Sequence, residues 1–154
     1  MSGQPRFRRI TARDMDAVFA VRTATWDNPD AERELTELGI TPESVRELLR
    51  TTHRGWLCEV DGQAVGFTIG NRATGEVWVI AVLAEHEGRG IGRGLIERVE
   101  AWLFDEGWPM IWLTTYRDEA MRAVGFYRHL GWEDVRVEPR GDRFMQKRSA
   151  DAVS

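Results

Sequence analysis

The chain has one cysteine, Cys58, and one lysine, Lys147. A lone thiol forms neither an intrachain disulfide framework nor a cysteine-rich zinc site. With Trp56, Leu57 and Val60 around it, Cys58 reads as a buried strand thiol without a chemical role. His53 and His129 lack the spacing of metal ligands, Glu85 and His86 read as solvated or packing residues, and no metal is expected. No apolar run approaches the length of a bilayer span, and Arg6, Arg8 and Arg9 are not followed by the hydrophobic region of a secretory signal. The expectation is a cytoplasmic protein with no membrane partner. Basic excess is also missing: the formal charge is −4 and the pI near 5.5. Binding to a nucleic-acid backbone draws on a basic surface, so no nucleic-acid partner is expected. Twenty of the 21 basic residues are arginine, which reads as codon bias. There is no internal repeat or low-complexity segment.

What is present suits one globular domain. A chain of 154 residues with 42% hydrophobic content and seven tryptophans can bury a substantial core. The domain is read over residues 1–148, with 149–154 as a loose tail. Residues 7–10 resemble an edge strand. Thr11 and Asp14 look like the cap and first turn of a helix that turns Met15, Val18, Phe19 and Val21 inward. Residues 27–37 are acidic and broken by Pro29, and they fit either a solvated connection or a lid. A helix opens at Thr41-Pro42-Glu43 and runs to about Arg50. Asp61-Gly62 between two apolar runs signals a two-residue hairpin turn, and Ala73-Thr74-Gly75 makes the next turn. Exposed strand edges make a homodimer plausible.

The segment Val77-Trp78-Val79-Ile80-Ala81-Val82-Leu83 has the length and β-branching of a strand covered on both faces. Gly88, Gly90, Gly92 and Gly94 follow at every second position, then a helix over about 90–106 with Ile91, Leu95, Val99 and Trp102 on one face. Glycines at a helix start let backbone N–H groups converge on an anion such as a phosphate. The dinucleotide fingerprint G-x-G-x-x-G fails, because Arg93 or Leu95 stands at its third glycine, and no G-K-[ST] follows for a P-loop.

The run from Glu87 to Gly92, five residues after Val82, resembles the acetyl-coenzyme A motif Q/R-x-x-G-x-G/A of the GNAT N-acetyltransferases. Downstream, Ala123, Phe126, Tyr127, Gly131 and Trp132 resemble that family's N-x-x-A-x-x-[FL]-Y-x-x-x-G-[FW] element. The match covers about residues 76–132. It implies an α/β (α+β) single domain, a mixed and largely antiparallel sheet flanked by helices in the order βααβββαβαββ. Its fourth and fifth strands would splay to admit the cofactor.

The same resemblance assigns the site. Main-chain groups of Ile80, Ala81 and Val82 would pair with the pantetheine arm. Amides from Gly88, Arg89, Gly90, Ile91, Gly92 and Arg93 would hold the pyrophosphate. Tyr127 would protonate the departing thiolate, although its place in the stripe Ala120, Ala123, Val124, Leu130 also fits a core tyrosine; Tyr116 is a weaker substitute. Glu76, six residues before Val82, stands where some GNAT enzymes carry a general base, and equally suits a solvated strand end. Glu87 departs from the usual glutamine or arginine, Ala120 from asparagine and Ala84 from proline. The implied activity is acetyl transfer from acetyl-coenzyme A to a primary amine on a small molecule, peptide or protein. Alternatives are a noncatalytic coenzyme A-binding domain and a longer-chain acyltransferase. An acidic mouth from Glu76 and residues 27–37 would draw a cationic acceptor.

Overall fold

The computed structural model describes residues 3–25, 29–139 and 141–150. Strand β1 (Arg6–Arg9) leads through a 3-10 turn at Ala12–Asp14 into α1 (Met15–Thr25). Thr11 and Asp14 form a reciprocal capping box there. Helices α2 (Ala31–Glu37) and α3 (Pro42–Thr51) follow, the latter capped reciprocally by Thr41 and Ser44. Next come β2 (His53–Val60), β3 (Gln63–Asn71), β4 (Glu76–Val82), α4 (Ile91–Asp105), β5 (Met110–Thr115), α5 (Arg122–His129), β6 (Glu133–Val137) and β7 (Arg143–Arg148). Asp61 and Gly62 both take positive φ, 53° and 79°, as the two-residue turn between β2 and β3 requires.

The expected order lacked one helix. The acidic stretch contains α2, because Pro29 precedes the helix instead of interrupting it. Ala31 and Leu35, one turn apart, give the helix a buried stripe. Arg33 pairs with Asp30 at 3.2 Å and with Glu37 at 3.8 Å, which tempers the repulsion among the acids. Asp27 of that stretch, and residues 151–154 of the expected tail, lie outside the described residues.

The seven strands form one sheet in the order β1-β2-β3-β4-β5-β7-β6, antiparallel except for the parallel pair β4–β5. One face packs on α4 and α5 through Val77, Val99, Leu103, Ile111, Leu113 and Met145. The other packs under α1 and α3 through Met15, Val18, Val45, Leu57, Phe67 and Ile69. The buried carboxylate of Glu100 on α4 joins α4 to the C-terminal strands. It accepts from Trp132 Nε1 at 2.9 Å and from Lys147 Nζ at 2.9 Å, and Lys147 also donates to Leu130 O at 2.8 Å.

Two features open the sheet at its centre. Ile69 pairs with Val79 and Gly70 with Val77, so Trp78 is an extra residue that bulges β4. Beyond it, β4 and β5 keep one registered pair, Glu76 with Trp112, and separate toward Val82 and Thr115. This is the expected splay.

Candidate active site

The separation leaves part of β4 unpaired on its β5 side. Leu83 N–H donates to Val65 O at 2.8 Å, which fixes the alternation of the strand. By that alternation the N–H and C=O of Ile80 and Val82 face the gap, while those of Ala81 face β3. Of the three residues expected to hold a cofactor arm, two therefore present their main chain to the gap.

At the wide end of the gap lies the glycine turn. Gly88 and Gly90 have φ of +79° and +80°, and Gly90 is the residue from which α4 springs. A side chain at either would meet no neighbour, so backbone conformation alone demands glycine. The other two glycines answer to packing. A Cβ on Gly92 would lie 3.3 Å from Phe126 Cζ, and one on Gly94 would come within contact of the Phe7 ring, which rests on α4. Among the described residues, amides from Gly88 to Arg93 have no acceptor within the chain. They lie at the positive end of a 15-residue helix, an arrangement suited to a phosphate oxygen.

The gap and the turn are two parts of one cleft of about 480 Å³, lined by Ile80, Ala81, Val82, Gly88, Gly90, Ile91, Gly92 and Arg93. Arg89 turns away from it, bonding His86 Nδ1 and Gly3 O, each at 3.0 Å. Glu87 meets Arg122 of α5, Nη1 to Oε2 2.7 Å, so the carboxylate that departs from the family motif is ion-paired. Ala120 N–H donates to Asp118 Oδ1 at 2.9 Å in the turn before α5.

Tyr127 lies on the inner side of α5, edge-on to Phe126 and Trp132, and lines the cleft. It is at once a core residue and a cleft residue. Burial, with a smaller contribution from Tyr116, raises the pKa of its phenol, so the hydroxyl stays protonated at neutral pH. Tyr116, also lining the cleft, is half exposed.

Glu76 occupies the vertex where β4 and β5 part, in one lateral row with His53, Asn71 and Trp112. It is half-buried, and desolvation raises its pKa above the ordinary carboxylate value. His53 packs edge-on to Trp78, 5.0 Å between ring centroids, and bonds Thr52 Oγ1; burial lowers its pKa and keeps it neutral. His129 and Glu85 are exposed. Among the described residues no cluster of His, Cys, Asp and Glu could hold a metal ion, and no helix is long and apolar enough to cross a membrane.

A second, smaller cavity of about 120 Å³ lies between α1–α3 and the sheet, walled by Val18, Phe19, Leu35, Ile40, Phe67 and Trp78 among others. Arg22 lines both cavities. Among the described residues, the linings of the two cavities include neither Glu76 nor an acidic residue of α2. The stripe of α1 faces the cavity with Val18 and Phe19, while the acids of α2 lie opposite its buried Ala31 and Leu35. Arg22 and Arg122 were not anticipated as site residues. Arg22 carried a readable signal, a charged residue continuing the helical stripe 15, 18, 19. Arg122 carried none, because its partner Glu87 is 35 residues away.

Comparison with known proteins agrees with this geometry. Residues 15–132 match the family described as "Acetyltransferase (GNAT) family". Among solved structures, the chain is similar to the PaiA N-acetyltransferase of Thermoplasma acidophilum in complex with coenzyme A. The TM-score is 0.82 at 15% identity, covering 95% of this chain and 99% of that one. It is also similar to a GNAT-family acetyltransferase of Staphylococcus aureus, with TM-score 0.75, 15% identity and coverage of 94% and 98%. A third likeness is to the ribosomal-protein-alanine N-acetyltransferase of Brucella melitensis, with TM-score 0.73, 17% identity and coverage of 94% and 99%. The splayed strands, the glycine turn and the family match agree: the chain belongs to the GNAT acetyltransferase family, an acyltransferase that takes acetyl-coenzyme A as cosubstrate.

Proposed function

We propose that this protein transfers the acetyl group of acetyl-coenzyme A directly to a primary amine, both substrates being bound together, with Tyr127 and Glu76 moving the protons. The observation that carries the reading is the position of Tyr127, a protonated phenol on the wall of the same cleft that holds the free amides of the glycine turn. A domain that only binds coenzyme A needs no proton donor there.

The bound cosubstrate supplies an acyl group activated as a thioester. The residues present suit it: the amides from Gly88 to Arg93 meet the pyrophosphate, and the outward main-chain groups of Ile80 and Val82 take the pantetheine arm as a partner strand would. Holding the donor and the amine together removes the entropy of their encounter. A strand N–H at the gap is placed to stabilise negative charge developing on the acyl oxygen.

An amine attacks only through its free electron pair, so its ammonium form must first lose a proton. Glu76 takes that proton, directly or through water. Its raised pKa makes it a stronger base than an ordinary carboxylate, at the cost of a smaller ionised fraction in acid. Tyr127 donates its hydroxyl hydrogen to the departing sulfur. Its raised pKa favours hydrogen-bonding over full ionisation, so it recovers a proton as the new amide nitrogen sheds one.

The test is thiol release from acetyl-coenzyme A over a panel of amines. Amine-dependent release is expected. Stabilisation of the fold by coenzyme A with no release for any amine would leave a binding domain only.

A further inference from the structure

The smaller cavity bears on the identity of the acceptor, a step that rests on the acetyltransferase reading above. Two elements that build the cleft also build this cavity. Helix α1 gives Val18 and Phe19 to the cavity and, about two turns further on, Thr25 to the cleft. Strand β4 gives Trp78 and Val79 to the cavity, then Ile80, Ala81 and Val82 to the cleft. The two spaces therefore lie end to end along one groove between α1 and β4. A cosubstrate with its pyrophosphate on the glycine turn runs back along β4 from Val82 toward Ile80, which brings its acyl end to the mouth of the cavity.

The bulge in β4 makes part of the cavity wall. In a regular strand adjacent side chains point to opposite faces, but the extra residue Trp78 lets Trp78 and Val79 both pack on the α1–α3 side of the sheet. Together with Phe19 of α1 and Ile40 before α3, they are only partly buried by the chain itself. Phe67 and Ile69 of β3 form a fully apolar floor. Large apolar side chains thus converge on a space of about 120 Å³ and keep part of their surface uncovered. Each methylene moved from water into such a space favours binding roughly 3- to 4-fold.

We propose that the acceptor is a primary amine carried on a short apolar chain, the chain seated between α1–α3 and the sheet and the nitrogen at the mouth, facing the acyl group. About 150 Å³ holds the six carbons of a benzene ring, so the cavity of about 120 Å³ suits a chain of about five. The acetyl group of the cosubstrate is too short to need this space. Seating the chain also fixes the approach of the nitrogen to the thioester, which is where an oriented complex gains its rate.

The experiment measures kcat/KM for thiol release from saturating acetyl-coenzyme A over the unbranched amines from ethylamine to octylamine, whose ammonium groups are alike. The value should rise roughly 3- to 4-fold for each added methylene up to about pentylamine, then level off or fall. Ile40→Trp, which narrows the cavity from its half-buried rim, should shorten the best chain. Phe19→Ala, which widens it, should lengthen the best chain. Thermal unfolding of each variant with and without coenzyme A confirms that it is folded and binds the cosubstrate.

A flat or falling series would overturn the proposal, as would a best chain length that neither folded variant moves. So would a rise in rate with acyl length at a fixed amine, measured with butyryl- and hexanoyl-coenzyme A, since the cavity would then serve the donor. Release with spermidine or a peptide amino terminus and none with the alkylamines would overturn this proposal and leave the acetyltransferase reading intact. If coenzyme A stabilises the protein but no amine gives release, that reading falls and the acceptor proposal falls with it.

Discussion

Arg122 Nη1 lies 2.7 Å from Glu87 Oε2, and this pair ties the N-terminal end of α5 to the turn that precedes α4. The two side chains come from opposite walls of the cleft. An unpaired carboxylate at position 87 would oppose a pyrophosphate held a few residues further on. The pair is exposed, so its own contribution to stability is small, and its importance lies in the charge seen by the ligand. Arg122→Ala should weaken coenzyme A binding by about 2- to 5-fold, the range an exposed charge of about 0.5–1 kcal/mol gives. Adding Glu87→Gln should restore most of the loss. Calorimetric titration of the single and double variants decides it, and a double variant no better than Arg122→Ala would disprove the compensation.

Gly90 is the sharpest probe of the cradle. Its φ of +80° costs an L-residue about 1–2 kcal/mol, more if it is β-branched. Gly90→Val should lower the melting temperature of the free protein by roughly 2–8 °C. It should also abolish the further stabilisation that coenzyme A gives. Scanning calorimetry with and without the ligand reads both, and undiminished stabilisation would remove this turn from the binding site.

Tyr127→Phe keeps the ring contacts with Phe126 and Trp132 and deletes only the hydroxyl. Turnover should fall about 10²-fold with coenzyme A affinity unchanged. Near-normal kcat would make Tyr127 a packing residue.

For Glu76 the sign of the pKa shift gives opposite expectations for activity and stability. A carboxyl whose pKa is raised on folding contributes stability below its unfolded pKa and loses it as pH rises through the folded one. At neutral pH, where the charge is carried at a desolvation cost, Glu76→Gln should melt no lower than the native protein. Its kcat/KM should nevertheless drop, and the acid limb of the pH profile should flatten. An unchanged acid limb would show that another group is the base.

Asp14 behaves in the reverse way. Arg8 grips both its oxygens at 2.9 Å, and with the Thr11 N–H at 2.7 Å this holds the carboxyl at about 2. A depressed acid pKa contributes stability above the unfolded value of about 3.9 and loses it as pH falls toward 2. Asp14→Asn should cost about 1–2 kcal/mol at neutral pH and make the fall in stability between about pH 4 and 2 shallower than in the native protein. Urea unfolding across that range measures it. The bond links β1 to the start of α1, the helix that carries Arg22.

The parts of this molecule that were legible in the sequence are those with local causes. The glycine turn, the Asp61-Gly62 hairpin, the Thr11 cap and the stripe Ile91, Leu95, Val99, Trp102 each follow from residues a few positions apart, and the structure contains all of them. Helix α2 was hidden because a seven-residue helix needs only one buried pair, and its acids dominate the composition. The individual purposes of the four glycines were hidden for another reason. Gly94 is small because Phe7 lies on it, a contact across most of the chain that no local pattern announces. The same holds for Arg122 and Glu87, and for the apolar cavity, whose walls come from α1, α2, α3 and two strands.

Lys147, the only lysine, has its ammonium occupied by Glu100 Oε1 and the Leu130 carbonyl, with a quarter of its side chain exposed. An enzyme that acetylates amines is its own potential bystander, since every surface lysine competes with the intended acceptor for a bound acetyl donor. Here the sole side-chain amine is tied to two acceptors on the protein itself. Amine-reactive labels and acetyl-lysine detection should accordingly show almost no signal from the protein's side chains, giving a clean background against which modification of an added acceptor can be read.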